Sequence, residues 1–599
     1  MHCFRKVGFS WNALAWLCVF SSCVRKNKTA GLFSSAPGAS LISIVGINDL
    51  HGSLAPTEVK LTSKVSATGS GPSAMMGGLP LLSGYLKIHK KNFPNTLILD
   101  AGDTYQGTLL SNLFEGRSTL TLLNEMGIQA STFGNHEFDF TSVDFNEMET
   151  PRRETHFNFP FSHPISSLLL LLKEAKFDYL AANIRKQDQS EEDALPVPRG
   201  KIYSVGGVQI GVIGAATETT PKFAPKVAME GMQFISLEKS VPAESKRLRE
   251  QGAQLVLLLT HTGGSCRMNM AAELGDEACA APEADELTAF LGKFPGVVDG
   301  VVAGHSHLPQ AHYIKGVPVI QTHGFGTSFG VLNIEPDSSN PSTKFKITPQ
   351  KPVFVCESHF SNYSSCNPFE EKEGGSYPAE GIGEPVPATY LGAPVKADEV
   401  VRDMLIQWQK KIETIENKKV AEISKDLILN RETQSKLSDC FTDLLQQELK
   451  RQDTQTDLVI LGTGQLRSSL NAGLVTFGAL YRVLPGDDLL AVADLKPEEA
   501  QDLVRAMSLK GGNAVTVAVS SGWQAKEEQT TPRINSIKPP AELAQKSTWK
   551  VATTEWKFRG FPEIVGKAEK EGRIRYFANK TLRDTIAAGL GGVLPSRCQ

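Results

Sequence analysis

At 599 residues the chain is too long for one ordinary domain and implies at least two large ones. With 41% hydrophobic and 21% charged residues it has a globular composition, which excludes the disordered and fibrous classes. A formal net charge of −3 gives no overall pull toward nucleic acid or an anionic membrane surface.

Arg5 and Lys6 precede an apolar run from about Trp11 to Phe20, followed by Ser21, Ser22 and Cys23. This is the layout of a signal peptide, and the run is too short to remain as a membrane span. Phe20-Ser21-Ser22-Cys23 resembles a bacterial lipobox, in which Cys23 is lipidated and becomes the new N-terminus. Phe20 fits that motif poorly, so an ordinary cleaved signal with an incidental cysteine is the alternative. The expectation is an exported protein, in the periplasm or at the outer membrane or cell surface. Residues 1–22 would be removed and 23–40 would form a linker. The lipid would be the only membrane contact. Beyond Cys3, Cys18 and Cys23 six cysteines remain, an even number that permits disulfides in an exported chain. The close pairs Cys266/Cys279 and Cys356/Cys366 are the expected bridges, ahead of any involving Cys440 and Cys598.

From residue 41 short β-rich runs (41–47, 96–99, 208–213, 254–259 and 298–302) alternate with helical stretches, and each run ends in a polar loop. Strands spaced by helices predict an α/β layered fold with its chemistry on the loops at strand ends. Residues 141–164 read as an inserted loop. A stretch rich in Gly, Pro, Ser and Glu, from about Pro352 to Pro394, reads as an inter-domain connection. After it Val401, Met404, Leu405, Trp408, Ile412 and Ile415 recur at helical spacing. A second α/β segment runs from about Val420 to Leu590. The expected division is 41–350, 351–418 and 419–592.

Five polar clusters follow the strands of the N-terminal half. They are Asn48-Asp49-Leu50-His51-Gly52, Asp100-Ala101-Gly102-Asp103, Gly134-Asn135-His136-Glu137-Phe138-Asp139, Thr260-His261-Thr262 and Gly304-His305-Ser306-His307. Taken singly, an Asp-x-His is more often a surface turn than a ligand pair. Together the clusters collect two carboxylates, an amide and four imidazoles besides His136, which chance does not readily do. Asp and His suit borderline divalent ions such as Mn, Zn, Fe or Co. On an extended strand end, residues i and i+2 share a face, so Asp49 and His51 are expected to reach one ion together. His305 and His307 have the same spacing and could serve two ions separately. A single carboxylate must bridge two ions to hold them about 3.5–4 Å apart, and Asp103 is the candidate.

The ordered set resembles the calcineurin-like metallophosphoesterases. Asn-Asp-Leu-His-Gly, Asp-Ala-Gly-Asp-Thr-Tyr-Gln-Gly and Gly-Asn-His-Glu-Phe-Asp narrow the resemblance to the 5′-nucleotidase/UDP-sugar hydrolase branch. The resemblance implies an N-terminal four-layer β-sandwich flanked by helices, a helical linker, and a C-terminal α/β substrate-binding domain. It implies one ion on Asp49, His51, Asp103 and His307 and a second on Asp103, Asn135, His261 and His305. The two divalent ions would be Mn, Zn, Co, Fe or Mg. His136 would be no ligand; it would donate to the phosphoryl or leaving oxygen, with Asp139 orienting it.

In the C-terminal half Arg431 and Arg467 match family arginines that contact phosphate, with two surface salt-bridge arginines as the plainer alternative. Two positions depart from the family. The asparagine five residues before the second arginine is Gly462. The Pro-Phe-x-Asn loop, whose Phe stacks on the base, reads Pro485-Gly486-Asp487-Asp488. Near the second stacking position stand Trp556, Phe558 and Phe561, for each of which core packing is the first expectation. The implied substrate is a small phosphate ester, nucleotide foremost, and not a nucleic-acid polymer. A UDP-sugar hydrolase, a cyclic-nucleotide phosphodiesterase, a thiosulfohydrolase-like relative and a non-catalytic binding protein are the competing readings.

Overall fold

A computed structural model describes residues 41–60, 73–140, 165–187, 192–264, 285–337, 339, 344–361, 366, 384–430, 435–509, 517–527 and 534–599. Cys23, Cys266, Cys279, Arg431 and the expected insertion at 141–164 lie outside these residues.

Two six-stranded sheets form the N-terminal half. The first runs in the order Phe345–Phe354, Ser328–Pro336, Ile42–Ile47, Thr96–Asp100, Ala130–Ser131, Asp178–Tyr179. The second runs Gln310–Ile314, Val317–Gln321, Gly300–Ala303, Leu255–His261, Val208–Ala216, Gly200–Val205. The strands are apolar on both sides because both faces are covered. Ile42, Ile44, Leu97 and Leu99 of one sheet share a core with Leu255, Leu257 and Leu259 of the other. Their neighbours Val45, Ile47 and Ile98 point the opposite way, into a core shared with helices Leu79–Asn92 and Arg117–Met126. Val256 and Leu258 likewise meet helices Leu237–Glu250 and Glu286–Lys293. The result is four layers, helix–sheet–sheet–helix, as the resemblance implied.

Helix Glu399–Glu416 is the one that the apolar spacing predicted. Val401, Leu405 and Ile412 are buried in the core under the first sheet, and Met404, Trp408 and Ile415 pack against it. Its start is fixed by Asp398, which accepts from the Val400 N–H (3.1 Å), the Ser83 hydroxyl (2.6 Å) and Lys87 Nζ (2.7 Å). One carboxylate thus caps the helix and ties it to Leu79–Asn92. Part of the stretch before this helix also contributes to the same core. Val355, Cys356, Cys366, Ala388 and Tyr390 are buried there, and Cys356 is bonded to Cys366.

The C-terminal half is a five-stranded sheet in the order Val517–Val519, Leu458–Gly462, Trp549–Thr554, Leu489–Leu495, Ile574–Thr581. Helices Lys436–Arg451 and Leu582–Leu590 cover one face, and Pro497–Leu509 and Pro562–Lys570 the other. A second disulfide joins Cys440 to Cys598 across a sequence separation of 158. Among the described residues no helix is long and apolar enough to cross a membrane.

Candidate metal centre

The polar clusters sit where paired strands run out. Beyond Ile42–Ile47 and Thr96–Asp100 the two chains stay zipped: the N–H groups of Asp49, His51 and Gly52 donate to the carbonyls of Gly102, Asp103 and Thr104, each at 2.9 Å. The expectation of an extended Asp-x-His fails here. Asp49 has φ 50° and His51 φ 49°, both left-handed, and Asp103, His305 and His307 share this conformation at 53°, 81° and 55°. A non-glycine residue in that region costs roughly 1–2 kcal/mol, so five candidate ligands are held in strained turns by the scaffold beneath them. Tight left-handed turns, rather than strand alternation, bring the side chains together.

Those side chains form two groups, linked by a third of His51, Asp103 and His136. Potential ligand atoms of Asp49, His51 and His307 lie within 4.8 Å of one another, and so do those of Asp103, His261 and His305. Asp103 Oδ2 stands between them, 3.1 Å from His261 Nε2 and 3.8 Å from His51 Nε2. His307 Nε2 is 3.1 Å from Asp49 Oδ1. His305 and His307 fall into different groups, as their spacing suggested.

The remaining atoms are committed elsewhere, and this aims the rest at one place. Asp49 Oδ2 accepts from Asn48 Nδ2 (2.6 Å), the His305 N–H is shared between Asp49 Oδ2 (2.9 Å) and Oδ1 (3.1 Å), and Asp103 Oδ1 accepts from the His136 N–H (2.9 Å). Nδ1 of His51 and Nδ1 of His261 each lie 2.8 Å from a carbonyl, of Gln106 and Ala101 respectively. A carbonyl only accepts, so both Nδ1 atoms carry a proton, and each Nε2 is the atom left to face a cation, which would take the place of any proton there. His261 Nε2 and Asn135 Oδ1 are fully buried and make no hydrogen bond. Inward ring nitrogens, two inward carboxylate oxygens and an orphaned amide oxygen are the donor set of a divalent-cation site, and the residues fit it.

Electrostatics agree. Burial pushes the Asp49 and Asp103 carboxyls up, but the surrounding imidazoles outweigh it and hold both below the ordinary carboxylate range. Burial alone would depress His261, yet the carboxylates of Asp103 and Asp49 raise it to about 10. The cluster favours positive charge at its centre.

His136 approaches this cluster and differs from its members. Its Nδ1 is bound to Asp139 Oδ2 at 2.6 Å, the pairing expected of an oriented imidazole. Burial lowers its pKa, but Asp139 and Asp103 overcome this and raise it to about 9. Its ring also lies within ligand reach of His51 and Asp103, and a carboxylate on Nδ1 orients a proton donor and a metal ligand alike.

Three neighbours carried no role in the sequence reading. Glu137, 1% exposed, accepts the N–H groups of Asp103 (2.9 Å), Thr104 (2.7 Å) and Gly134 (2.6 Å), which clamps the Asp103 loop to the Asn135 loop. Asn48 holds Asp49 on one side, while its Oδ1 accepts the Thr322 N–H and hydroxyl, both at 2.8 Å. Phe325 stacks on His51 with centroids 5.4 Å apart. Gly134 is glycine because a Cβ there would stand 2.0 Å from Asp103 Oδ1.

The C-terminal half borders the site through residues around 481–485 and through Arg467. The Pro485 carbonyl accepts from Gln106 Nε2 (3.5 Å) and Asn112 Nδ2 (3.3 Å), and the Tyr481 hydroxyl from Asn112 Nδ2 (2.7 Å). Arg467 is exposed, and its charge acts on His136. Phe558 and Phe561 are core residues. Trp556 is half-buried with Lys557 Nζ 3.8 Å over its ring, and the same ammonium lies 3.2 Å from where a Cβ at Gly462 would stand.

The four-layer α/β sandwich thus carries a split Asp/His cluster suited to divalent cations beside an adjoining His–Asp pair. Residues 42–309 match the family model described as calcineurin-like phosphoesterase. Endonuclease YhcR of Bacillus subtilis is 22% identical over 91% of this chain and 42% of its own length. Snake venom 5′-nucleotidase of Gloydius brevicauda is 27% identical over 50% of this chain and 46% of its own. The chain therefore spans less than half the length of these two relatives. The structure of a 5′-nucleotidase precursor from Thermus thermophilus superposes with a TM-score of 0.65 at 20% identity, covering 92% of this chain and 96% of that one. That likeness is one of fold.

Proposed function

We propose that this protein is an exported phosphoesterase that uses two divalent cations to hydrolyse nucleotides or related organic phosphates. The observation that carries the reading is Asp103 Oδ2, shared between the two Asp/His groups beside the His136–Asp139 pair. Asp49, His51, Asp103 and His307 would hold one cation; Asp103, Asn135, His261 and His305 would hold the other. When bound, the cations supply Lewis acidity that lowers the pKa of a water and stabilises developing phosphoryl charge. The protein's own groups do the rest. His136, oriented through Nδ1, donates from its other nitrogen to the phosphoryl or leaving oxygen. Arg467 offers a guanidinium to phosphate from the C-terminal side. A relative named 5′-nucleotidase supports nucleotides as the substrate class.

A panel of AMP, other nucleoside monophosphates and p-nitrophenyl phosphate, assayed with Mn, Zn, Co and Mg, tests this. Metal-dependent release of phosphate is expected; nucleotide binding without hydrolysis under every metal would make the chain a binding protein. The Cys356–Cys366 and Cys440–Cys598 bridges support an oxidising compartment. For the proposed lipid on Cys23, Cys23→Ser should move the protein from the membrane fraction to the soluble one.

A further inference from the structure

Gly486 and Asp488 stand where the resembling family has an aromatic residue and an asparagine, and the structure makes these two departures one. An ideal Cβ on Gly486 would lie 3.0 Å from Asp488 Oδ1 and 3.3 Å from its Cγ. The carboxylate lies against the Gly486 backbone, so that a side chain at 486 would press on it. Gln465 fixes it there: Nε2 donates to Asp488 Oδ2 at 2.7 Å and reaches Thr554 Oγ1 at 3.2 Å. Gln465 is itself only 8% exposed.

The loop lies over the catalytic side. Pro485, three residues before Asp488, accepts from the side chain of Gln106, whose carbonyl holds His51 Nδ1. Asp488 is half-buried, and its charge acts on Asp139, the partner of His136. Of the three aromatics near the second stacking position, Phe558 and Phe561 are in the core, and Lys557 covers one face of Trp556.

We propose that Asp488 is a specificity-determining residue that reads hydroxyl groups on the leaving part of the ester, so that the preferred substrates are phosphate monoesters of sugars or polyols. This rests on the phosphoesterase reading above. A carboxylate accepts from hydroxyls and offers nothing to the face of a planar base; it also repels a second anionic group on the leaving part. Gln465 is a positioning residue for it.

The test compares three esters of similar size on the metal-loaded full chain: glycerol 1-phosphate, n-propyl phosphate and 3-phosphoglycerate. Hydrogen bonds to a charged acceptor predict that kcat/KM for glycerol 1-phosphate exceeds that for propyl phosphate by about 10- to 100-fold. The wild type should disfavour 3-phosphoglycerate. In Asp488→Asn the diol preference should shrink about tenfold and the discrimination against 3-phosphoglycerate should weaken, a pair of changes that loss of folding would not produce. Gln465→Met should move both ratios the same way by less. Equal turnover of glycerol and propyl phosphates, or ratios unchanged in Asp488→Asn, overturns the proposal while leaving the phosphoesterase standing. AMP preferred over ribose 5-phosphate by several orders of magnitude overturns it too, because a base would then be read. No turnover of any ester under any metal removes the phosphoesterase reading instead.

Discussion

His51 Nε2 stands 3.1 Å from His307 Nε2, and the proton of His51 is already spent on the Gln106 carbonyl. Two imidazole nitrogens at this distance need either a proton on His307 or a cation between them, and Asp49 Oδ1 at 3.1 Å from His307 completes a cation's surroundings. Chelation should therefore abolish hydrolysis and lower the melting temperature, with about two equivalents of metal per chain restoring both. Asp103→Asn removes the charge shared by both groups. Metal titration by calorimetry should show a loss beyond the roughly 10–100-fold that changes in outer-shell partners cost. Full activity in stripped protein would refute the two-cation reading.

His136→Ala separates donor from ligand. With both ions retained, kcat should fall roughly 10²–10⁴-fold. Elemental analysis showing one ion lost would place His136 among the ligands, as its distance from His51 and Asp103 allows.

Glu137 bears no proposed chemistry, yet its carboxylate takes three backbone N–H groups from two ligand loops. Glu137→Ala leaves these donors buried and unpaired, at about 1–3 kcal/mol each before relaxation. Urea denaturation should show a loss of several kcal/mol, together with weaker metal binding. Glu137→Gln keeps one acceptor oxygen and should fall between. A neutral Glu137→Ala would mean that the loops are held by their strands alone.

The Cys440–Cys598 bridge ties the helix at Lys436–Arg451 to the turn at Ser596–Cys598, where Arg597 also pairs with Asp439 and Asp443. Cys598→Ser should destabilise the chain by about 2–4 kcal/mol, read as a shifted urea midpoint that reducing agent reproduces in the wild type. The same midpoint with and without reductant would show that the ion pairs suffice.

The strands were legible because runs such as Leu255–His261 are apolar throughout, but which face each residue took was not. With both faces buried, the alternation that would tell Leu257 from Leu258 is erased. The clustering of candidate ligands was legible because Asp-x-His and His-x-His put scarce side chains in short loops. The geometry that unites them was not: Asp49 and His51 are left-handed, and although Asp and His enter that region more readily than most residues, their spacing reads equally well as an extended strand end. Glu137 lay inside a quoted motif without a role because its partners are backbone N–H groups, which no sequence displays. Cys440–Cys598 was invisible for a related reason. Only the folded sheet brings positions 158 apart together, whereas Cys356 and Cys366 are near neighbours in the chain.

Left-handed backbone at positions 49, 51, 103, 305 and 307 has an evolutionary corollary. Each of these sites would be more comfortable as glycine or asparagine, by about 1 kcal/mol or more apiece. A lineage that stopped using the centre would drift downhill toward those residues, gaining stability as it lost chemistry. Aspartate and histidine at these five turns are therefore residues that the backbone alone would not select, and glycine at them in a relative would mark a centre released from use.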